Sequence, residues 1–488
     1  MLTMLKNESN TAYTENGAKT NRSAMSECLD LFFAAGAMRN SDKDRIVEAV
    51  VKAYCEDPEK TMKIIFFARD VRGGLGERRF FRAAMETLAE FAPEAVRRNI
   101  PFIADYGRYD DLCVLLNTPC AEYAAAEISR VLNADLKAMS ESESVSLIAK
   151  WLPSVNASSR QTVALAKKLC KMLHMTEKDY RRTLSSLRAY IGILENDLRK
   201  KDYTFDYSKQ PSGAMLKYRM AFIRNDRLRY TSYLSRVIKG EDKMHASTLY
   251  PYDIVRKVLD NYGVSAEERV ALDASWRSLD SHGDGAENSR AIAVVDGSGS
   301  MYGGRSVRPI DAALSLGVYF AEHNKGAFAN HFITFSRTPQ LVEVKGRDIY
   351  EKVNYCSAYN EVANTNLCAV FDLILVTALK NRLPQDEMPE RLYIISDMEF
   401  DCAVSNFDET IFRAQKAAYE KHGYKLPRII FWNVDSRHEN CPVTFSETGA
   451  ALVSGFSPAL FDMVKAGDIS PEIIMNDIIM SERYAKVS

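Results

Sequence analysis

Ala291-Ile292-Ala293-Val294-Val295-Asp296-Gly297-Ser298-Gly299-Ser300 decides the fold of the second half of this chain. Five consecutive apolar residues read as a short buried strand, and the Gly-containing loop that follows ends it. The loop has the spacing D-x-S-x-S. One carboxylate and two hydroxyls, each two residues apart, can converge on one hard cation, and the glycines let the backbone fold so that Ser298 and Ser300 face the same point. A donor set made only of oxygen suits Mg²⁺, Mn²⁺ or Ca²⁺ and not zinc.

Working outward, the segments after residue 286 alternate between strand and helix. The pattern predicts a helix over 309–323, a strand over 331–335, a helix over 366–383, a strand over 391–396, a helix over 406–422, a strand over 428–434 and another over 449–453, with helices beginning at 457. Alternation of this kind argues a doubly wound, parallel sheet, in which ligands bind beyond the carboxyl ends of the strands. Two further oxygen donors then fall on the same edge. Thr365 precedes the 366–383 helix, and Asp397 follows the 391–396 strand. The expected set is Asp296, Ser298, Ser300, Thr365 and Asp397, with Asp397 acting through water and one position open.

Upstream of a polar stretch near 281–289, the pattern is helical from residue 23 to about 285, with apolar residues at three- and four-residue spacing and breaks at Gly, Pro or Asn. Many short helices in succession predict an α-solenoid (HEAT-like) or irregular helical array. Residues 1–22 are polar and rich in Asn, Thr and Lys, which predicts a flexible arm. The expected domains are therefore 1–22, 23–285 and 286–488.

This C-terminal part resembles the von Willebrand factor A domain, whose metal-ion-dependent adhesion site uses the same D-x-S-x-S, Thr and Asp set. The stretches Phe67–Arg78, Ile100–Leu112 and Asn364–Leu375 extend the likeness across nearly the whole chain, to the domain-of-unknown-function 2828 family, whose members join a helical N-terminal region to a von Willebrand A-like one. The layout is also similar to the Ro (TROVE) ribonucleoproteins. That resemblance implies a helical ring that binds RNA beside the metal-site domain.

Charge bears on the RNA reading. The whole chain of 488 residues is nearly neutral, with 64 Lys+Arg against 65 Asp+Glu. Residues 150–240, however, hold 20 basic and 7 acidic residues. Lys167, Lys168, Lys171, Arg181, Arg182, Arg188, Lys200, Lys201, Arg219, Arg224, Arg227 and Arg229 are the expected phosphate contacts. Tyr180, Tyr190, Tyr203, Tyr207, Tyr218, Phe222, Tyr230 and Tyr233 are interleaved with them and can stack on unpaired bases. Against this stands the ordinary use of Lys and Arg on solvated helix faces and of Tyr at core edges. A smaller basic group at Arg69, Arg72, Arg78, Arg79 and Arg82 is offset by Asp70 and Glu77 and reads as structural.

Other classes are disfavoured. The nine cysteines are odd in number and show no C-x-x-C, which argues against zinc ribbons and disulfide scaffolds and for a reducing cytosol. No secretory leader and no membrane-spanning run is visible. There is no G-x-S-x-G elbow and no G-x-x-x-x-G-K-[ST] loop, and Ser298 stands where a dehalogenase-type phosphatase needs a second Asp. The expectation is a non-catalytic, metal-binding scaffold that contacts RNA. The competing expectation is a protein–protein adaptor whose metal captures an acidic partner residue, and a metal-dependent hydrolase comes last.

Overall fold

The computed structural model describes the chain except for residues 247, 262, 280–289, 304–306, 326, 336–337, 360–365, 402–409, 439 and 465–468. The polar 281–289 stretch and Thr365 thus lie outside the described residues. The fold is mixed α and α/β: many helices in the N-terminal part, and a six-stranded mixed sheet in the C-terminal part.

The strands are labelled in chain order: β1 (Thr11–Tyr13), β2 (Lys19–Asn21), β3 (Ala291–Asp296), β4 (His331–Phe335), β5 (Gln340–Glu343), β6 (Arg391–Ser396), β7 (Arg428–Asn433) and β8 (Ala450–Ser454). The large sheet has the order β5-β4-β3-β6-β7-β8. All its pairings are parallel except β4 with β5. Strands β3, β6 and β8 are buried along their whole length, and β7 in all but its first residue. That is why they read as apolar runs and not as alternating patterns. The antiparallel β5 and the helix Ile349–Ser357 were not anticipated. β5 is a four-residue edge strand with one buried residue, so its sequence carries almost no apolar signal.

From β3 the chain moves to one side through β4 and β5, then returns to place β6 on the other side of β3. The order therefore reverses between β3 and β6. Val295 pairs with Ile395 in register, which brings the carboxyl ends of the two strands side by side. A crevice at such a reversal is where open α/β sheets bind ligands.

The stretch read as helical holds a succession of helices, from Glu27–Ala35 to Ala266–Arg277. Two pairs of them are divided by a short break. Glu177–Ile191 and Leu194–Lys200 are separated at Gly192, which adopts φ +67, and Ser212–Asn225 and Arg227–Ile238 are separated at Asp226.

The first helices do not form a unit apart from the sheet. One continuous apolar cluster runs from Ala18 through Phe32, Phe67 and Leu75 into β3, β6, β7 and β8. Ser454 Oγ, at the end of β8, donates to Phe32 O at 3.0 Å and accepts from Gly36 N at 3.0 Å. The chain's end returns to the same helices, where Arg483 Nη2 meets buried Asp70 at 2.8 Å and Tyr106 OH donates to Arg483 O at 2.6 Å. A second, separate cluster holds Tyr207, Phe222, Tyr230, Tyr233 and Leu234.

The helix Glu27–Ala35, which lies against β8, is well capped. Ser26 Oγ accepts from Leu29 N at 3.3 Å and donates to Glu56 Oε1 at 2.7 Å, while Glu56 Oε2 accepts from Glu27 N at 2.6 Å. Ser26→Ala removes one of these partners and leaves Glu56 in place. It is expected to cost about 1 kcal/mol, measurable by denaturant unfolding.

The first 22 residues correct the sequence expectation. They form a helix, Leu2–Ser9, and the β1–β2 hairpin, and the hairpin is joined to the sheet domain rather than free. Asn21 and Cys441 exchange backbone hydrogen bonds at 3.0 and 2.7 Å. Thr14 Oγ1 donates to Phe400 O at 2.6 Å. A polar segment looks unstructured by composition. It is ordered here because its backbone and hydroxyl groups find partners nearly 400 residues away.

Candidate functional site

Asp296 ends β3 and is fully buried. Its Oδ2 accepts from Ser396 Oγ at 2.5 Å, a bond set by the β3–β6 register, and its Oδ1 accepts from Ser298 N at 2.9 Å. The loop beyond β3 makes a short 3₁₀ turn, Gly299–Tyr302. This brings Ser298 Oγ and Ser300 Oγ to 3.1 Å from one another. A metal–oxygen distance of about 2.1 Å puts neighbouring oxygens of an octahedron about 3.0 Å apart. The two hydroxyls, hydrogen-bonded to one another, thus have a separation compatible with adjacent ligands of one hard divalent ion.

Asp397 follows β6 directly and is 3% exposed. Its Oδ1 accepts from Glu399 N at 3.3 Å, and Ser396 Oγ accepts from Met398 N at 3.0 Å. Met398, buried and not a glycine, sits at φ +66. Backbone held in the left-handed region by the bonds around it is characteristic of functional loops. Burial, with repulsion from Asp397 added, pushes the Asp296 carboxyl up to about 7, against the hydrogen bonds from Ser396 and Ser298 that lower it. A buried carboxylate whose ionisation is opposed by burial and by a neighbouring carboxylate is eased by a cation placed beside it. The donor set Asp296, Ser298, Ser300 and Asp397 therefore fits a hard divalent ion. Thr365, the fifth expected ligand, lies outside the described residues.

Several residues of this rim were not expected from sequence. The loop after β7 brings Asp435, Arg437 and His438. Burial, and then the Asp397 charge, pushes the Asp435 carboxyl up to about 6. Arg437 Nη2 donates to Asp397 Oδ2 at 2.8 Å, and its Nη1 lies 3.2 Å from Glu15 Oε2. Buried Glu399 accepts from Glu15 N at 2.6 Å, His438 Nδ1 at 3.0 Å and Asn440 Nδ2 at 2.8 Å. The carboxylates of Glu15 and Glu399 and the His438 ring offer ligand atoms within 4.8 Å of one another, but Glu399 is already satisfied by those donors. The 435–438 loop is fixed from the N-terminal helices. Arg45 Nη1 donates to Ser436 O and Arg437 O at 2.8 Å, and Ser436 N donates to Ala37 O at 3.1 Å. Asp435, Arg437 and His438 were legible by the rule that selected Asp397, since they follow a buried strand at the same edge. Glu15 carried no signal, because nothing local ties residue 15 to residue 399.

The basic segment divides. Arg219, 8% exposed, is paired with Glu268 through Nε at 2.8 Å. Arg188 donates to Ala149 O, Ser154 Oγ and Leu152 O at 2.7 to 3.0 Å. These two correct the sequence expectation, because both guanidinium groups are spent on the fold. Arg227 pairs with Glu267, Arg229 donates to Phe205 O at 3.0 Å and meets Asp226 at 3.1 Å, Lys167 meets Glu177 at 3.2 Å and Lys168 donates to Asn117 Oδ1 at 2.7 Å. Lys171, Arg181, Arg182, Lys200, Lys201 and Arg224 are exposed and form no ion pair among the described residues. Of the interleaved aromatics, Tyr180, Tyr207, Phe222, Tyr230 and Tyr233 are buried. Four of these five pack ring against ring in the second cluster, so their faces do not meet solvent. Tyr190 is exposed, and Tyr203 and Tyr218 are half-buried.

Comparison with known proteins gives the chain its relatives. It is 28% identical over 497 residues, 93% of its own length and 84% of the relative's, to an uncharacterized protein of Acanthamoeba polyphaga mimivirus. Residues 290–475, which contain the rim, match a domain of unknown function, DUF7788. Residues 14–122 and 123–283 match a second domain of unknown function, DUF2828, and with more than half of its length so matched the chain belongs to the DUF2828 family.

Proposed function

We propose that the C-terminal part is a doubly wound, von Willebrand A-like domain, and that its rim holds a divalent cation, Mg²⁺ or Mn²⁺, through Asp296, Ser298, Ser300 and Asp397, with Thr365 as a further ligand. The protein is a non-catalytic scaffold that uses this ion to take an acidic group of a protein partner. One observation carries the reading. A fully buried carboxylate faces a second one at the reversal point of the sheet, beside two hydroxyls 3.1 Å apart. The ion supplies positive charge to the carboxylates and an open position to the partner. The chain's own residues orient the donors: Ser396 Oγ and Ser298 N hold the Asp296 carboxylate, Glu399 N and Arg437 hold that of Asp397, and the 3₁₀ turn sets the two hydroxyls side by side.

The test is a Mn²⁺ titration of the full chain. Uptake of one ion at or below millimolar concentration, competed by Mg²⁺, is expected. No uptake in that range overturns the reading. Phosphoester turnover that needs both the ion and Asp296 would replace the scaffold with a hydrolase.

RNA binding is a second reading, supported by the six exposed cations Lys171, Arg181, Arg182, Lys200, Lys201 and Arg224, which form no ion pair among the described residues. It calls for binding to the phosphate backbone rather than base stacking, because most of the interleaved aromatics are interior. Replacing Lys200 and Lys201 together with Gln is expected to lower RNA affinity measured by fluorescence anisotropy. The slope of log affinity against log salt should shrink by roughly 0.7 for each phosphate that is no longer neutralised. Absence of RNA binding at low salt leaves the adaptor reading alone. The eight described cysteines are free, and no described helix is long and apolar enough to cross a membrane. The free thiols support a reducing compartment, for which we propose the cytoplasm.

A further inference from the structure

Arg437 stands where a cation is wanted. One nitrogen, Nη2, lies 2.8 Å from Asp397 Oδ2, and another, Nη1, lies 3.2 Å from Glu15 Oε2. The third, Nε, is buried without a hydrogen-bond partner among the described residues. Around this guanidinium are the carboxylates of Asp397, Asp435, Glu399 and Glu15. A divalent ion held by Asp296 and Asp397 and a guanidinium held by the same Asp397 repel one another and share one pair of carboxylate oxygens. They are alternatives for the same charge.

Glu15 offers the guanidinium a second seat. It is not a chance surface neighbour, because the tip of the β1–β2 hairpin is fastened to the loop that carries Asp397. Glu15 N donates to Glu399 Oε2 at 2.6 Å and Asn16 Nδ2 to Glu399 O at 2.7 Å. Gly17 and Asp401 form an antiparallel bridge. From this geometry we infer that Arg437 is a guard cation of the rim. It and the divalent ion compete for Asp397, and Glu15 of the N-terminal hairpin, already 3.2 Å from Nη1, retains the guanidinium when the ion displaces it from Asp397. The inference rests on the cation reading above and adds its regulation. The ion enters against an internal competitor, and its arrival is felt by the hairpin, so the N-terminal surface reports the state of the rim.

The experiment is a set of Mn²⁺ titrations, followed by electron paramagnetic resonance, on full-length wild type, Arg437→Gln, Glu15→Gln and the double variant. Arg437→Gln is expected to raise Mn²⁺ affinity roughly tenfold by removing a nearby positive charge. Glu15→Gln is expected to lower it several-fold, because the displaced guanidinium loses its seat. In the Arg437→Gln background the Glu15 substitution is expected to have a smaller effect, since only its direct charge on the ion remains and no guanidinium is left to be seated. Hydrogen exchange at the amides of residues 14–18 should change on Mn²⁺ addition in wild type and not in Arg437→Gln. An unchanged or lowered affinity in Arg437→Gln overturns the inference, as does a Glu15 effect that is undiminished without Arg437. The cation reading survives either result as long as wild type binds Mn²⁺ through Asp296. If neither wild type nor Arg437→Gln takes up Mn²⁺, the cation reading fails and the inference falls with it.

Discussion

Asp296→Asn is expected to abolish Mn²⁺ uptake, lowering affinity by at least about a hundredfold, while leaving the metal-free protein as stable as wild type or more so near pH 8. The two halves of this expectation have one cause. In the metal-free fold Asp296 is fully buried and faces Asp397, so its carboxyl is raised to about 7. An unfolded Asp loses its proton near 3.9. Between these values the folded chain holds a proton that the unfolded chain has released. Stability from this group is therefore complete below about pH 4 and is lost as pH rises through about 7. The loss is on the order of 4 kcal/mol, and Asn, which never ionises, does not suffer it. Asp435, raised to about 6 by burial and by Asp397, adds a loss of the same sign over a narrower range.

A bound divalent ion reverses the balance, because it binds only the ionised carboxylate. Mn²⁺ affinity is expected to rise with pH up to about 7 and then level off. Stability in the presence of Mn²⁺ should no longer fall over that interval. Urea unfolding at pH 5, 6, 7 and 8, with and without Mn²⁺, measures both effects. A wild-type stability that climbs from pH 5 to 8 without metal would contradict the burial argument. An Asp296→Asn chain that binds Mn²⁺ as wild type does would remove Asp296 from the site.

The second large effect is expected at Gly36, far from any charge. Gly36 ends the Glu27–Ala35 helix, and its backbone lies directly on the turn after β8. A Cβ placed there meets Gly455 N at 2.5 Å, Gly455 Cα at 2.6 Å and Ser454 C at 2.6 Å. These are backbone atoms, and they cannot rotate aside. Gly455 has its own requirement, since it adopts φ +104. Gly36→Ala therefore has to separate the Glu27–Ala35 helix from the sheet, breaking the Gly36 N to Ser454 Oγ and Ser454 Oγ to Phe32 O bonds and opening the apolar packing behind them. Overpacking of this kind costs about 3 kcal/mol or more. The φ of Gly36 itself, −78, suits any residue, so the destabilisation is steric and not conformational. Equilibrium denaturation measures it. A change below about 1 kcal/mol would mean that the helix is free to move away from the sheet. Gly423→Ala, where no atom lies within 4 Å, tests strain alone, because its φ is +80.

Much of the fold was readable one segment at a time. Buried parallel strands must be continuous apolar runs, so β3, β6, β7 and β8 announced themselves. The order of strands and helices then placed the D-x-S-x-S loop and Asp397 on one edge. Helices such as Arg78–Phe91 and Pro309–His323 were legible for a similar reason, because their apolar spacing and their breaks at Gly and Pro are local properties. The basic segment was legible only as composition. Charge counts along a chain do not reveal that Arg219 is buried against Glu268, or that Tyr207 and Tyr230 face one another in a core.

By itself the sequence determined the buried parallel strands, most of the helices and the placing of Asp296, Ser298, Ser300 and Asp397 at one sheet edge, because each depends on residues close together in the chain. Tertiary structure alone decided which groups meet that rim from elsewhere. The hairpin of residues 11–21, the Arg45 clamp on the 435–438 loop and the Arg437 bridge between Asp397 and Glu15 join residues about 40 to more than 400 positions apart. Such pairings are chosen by the packing of whole elements on one another, as where Gly36 lies on Gly455, and no local pattern encodes them.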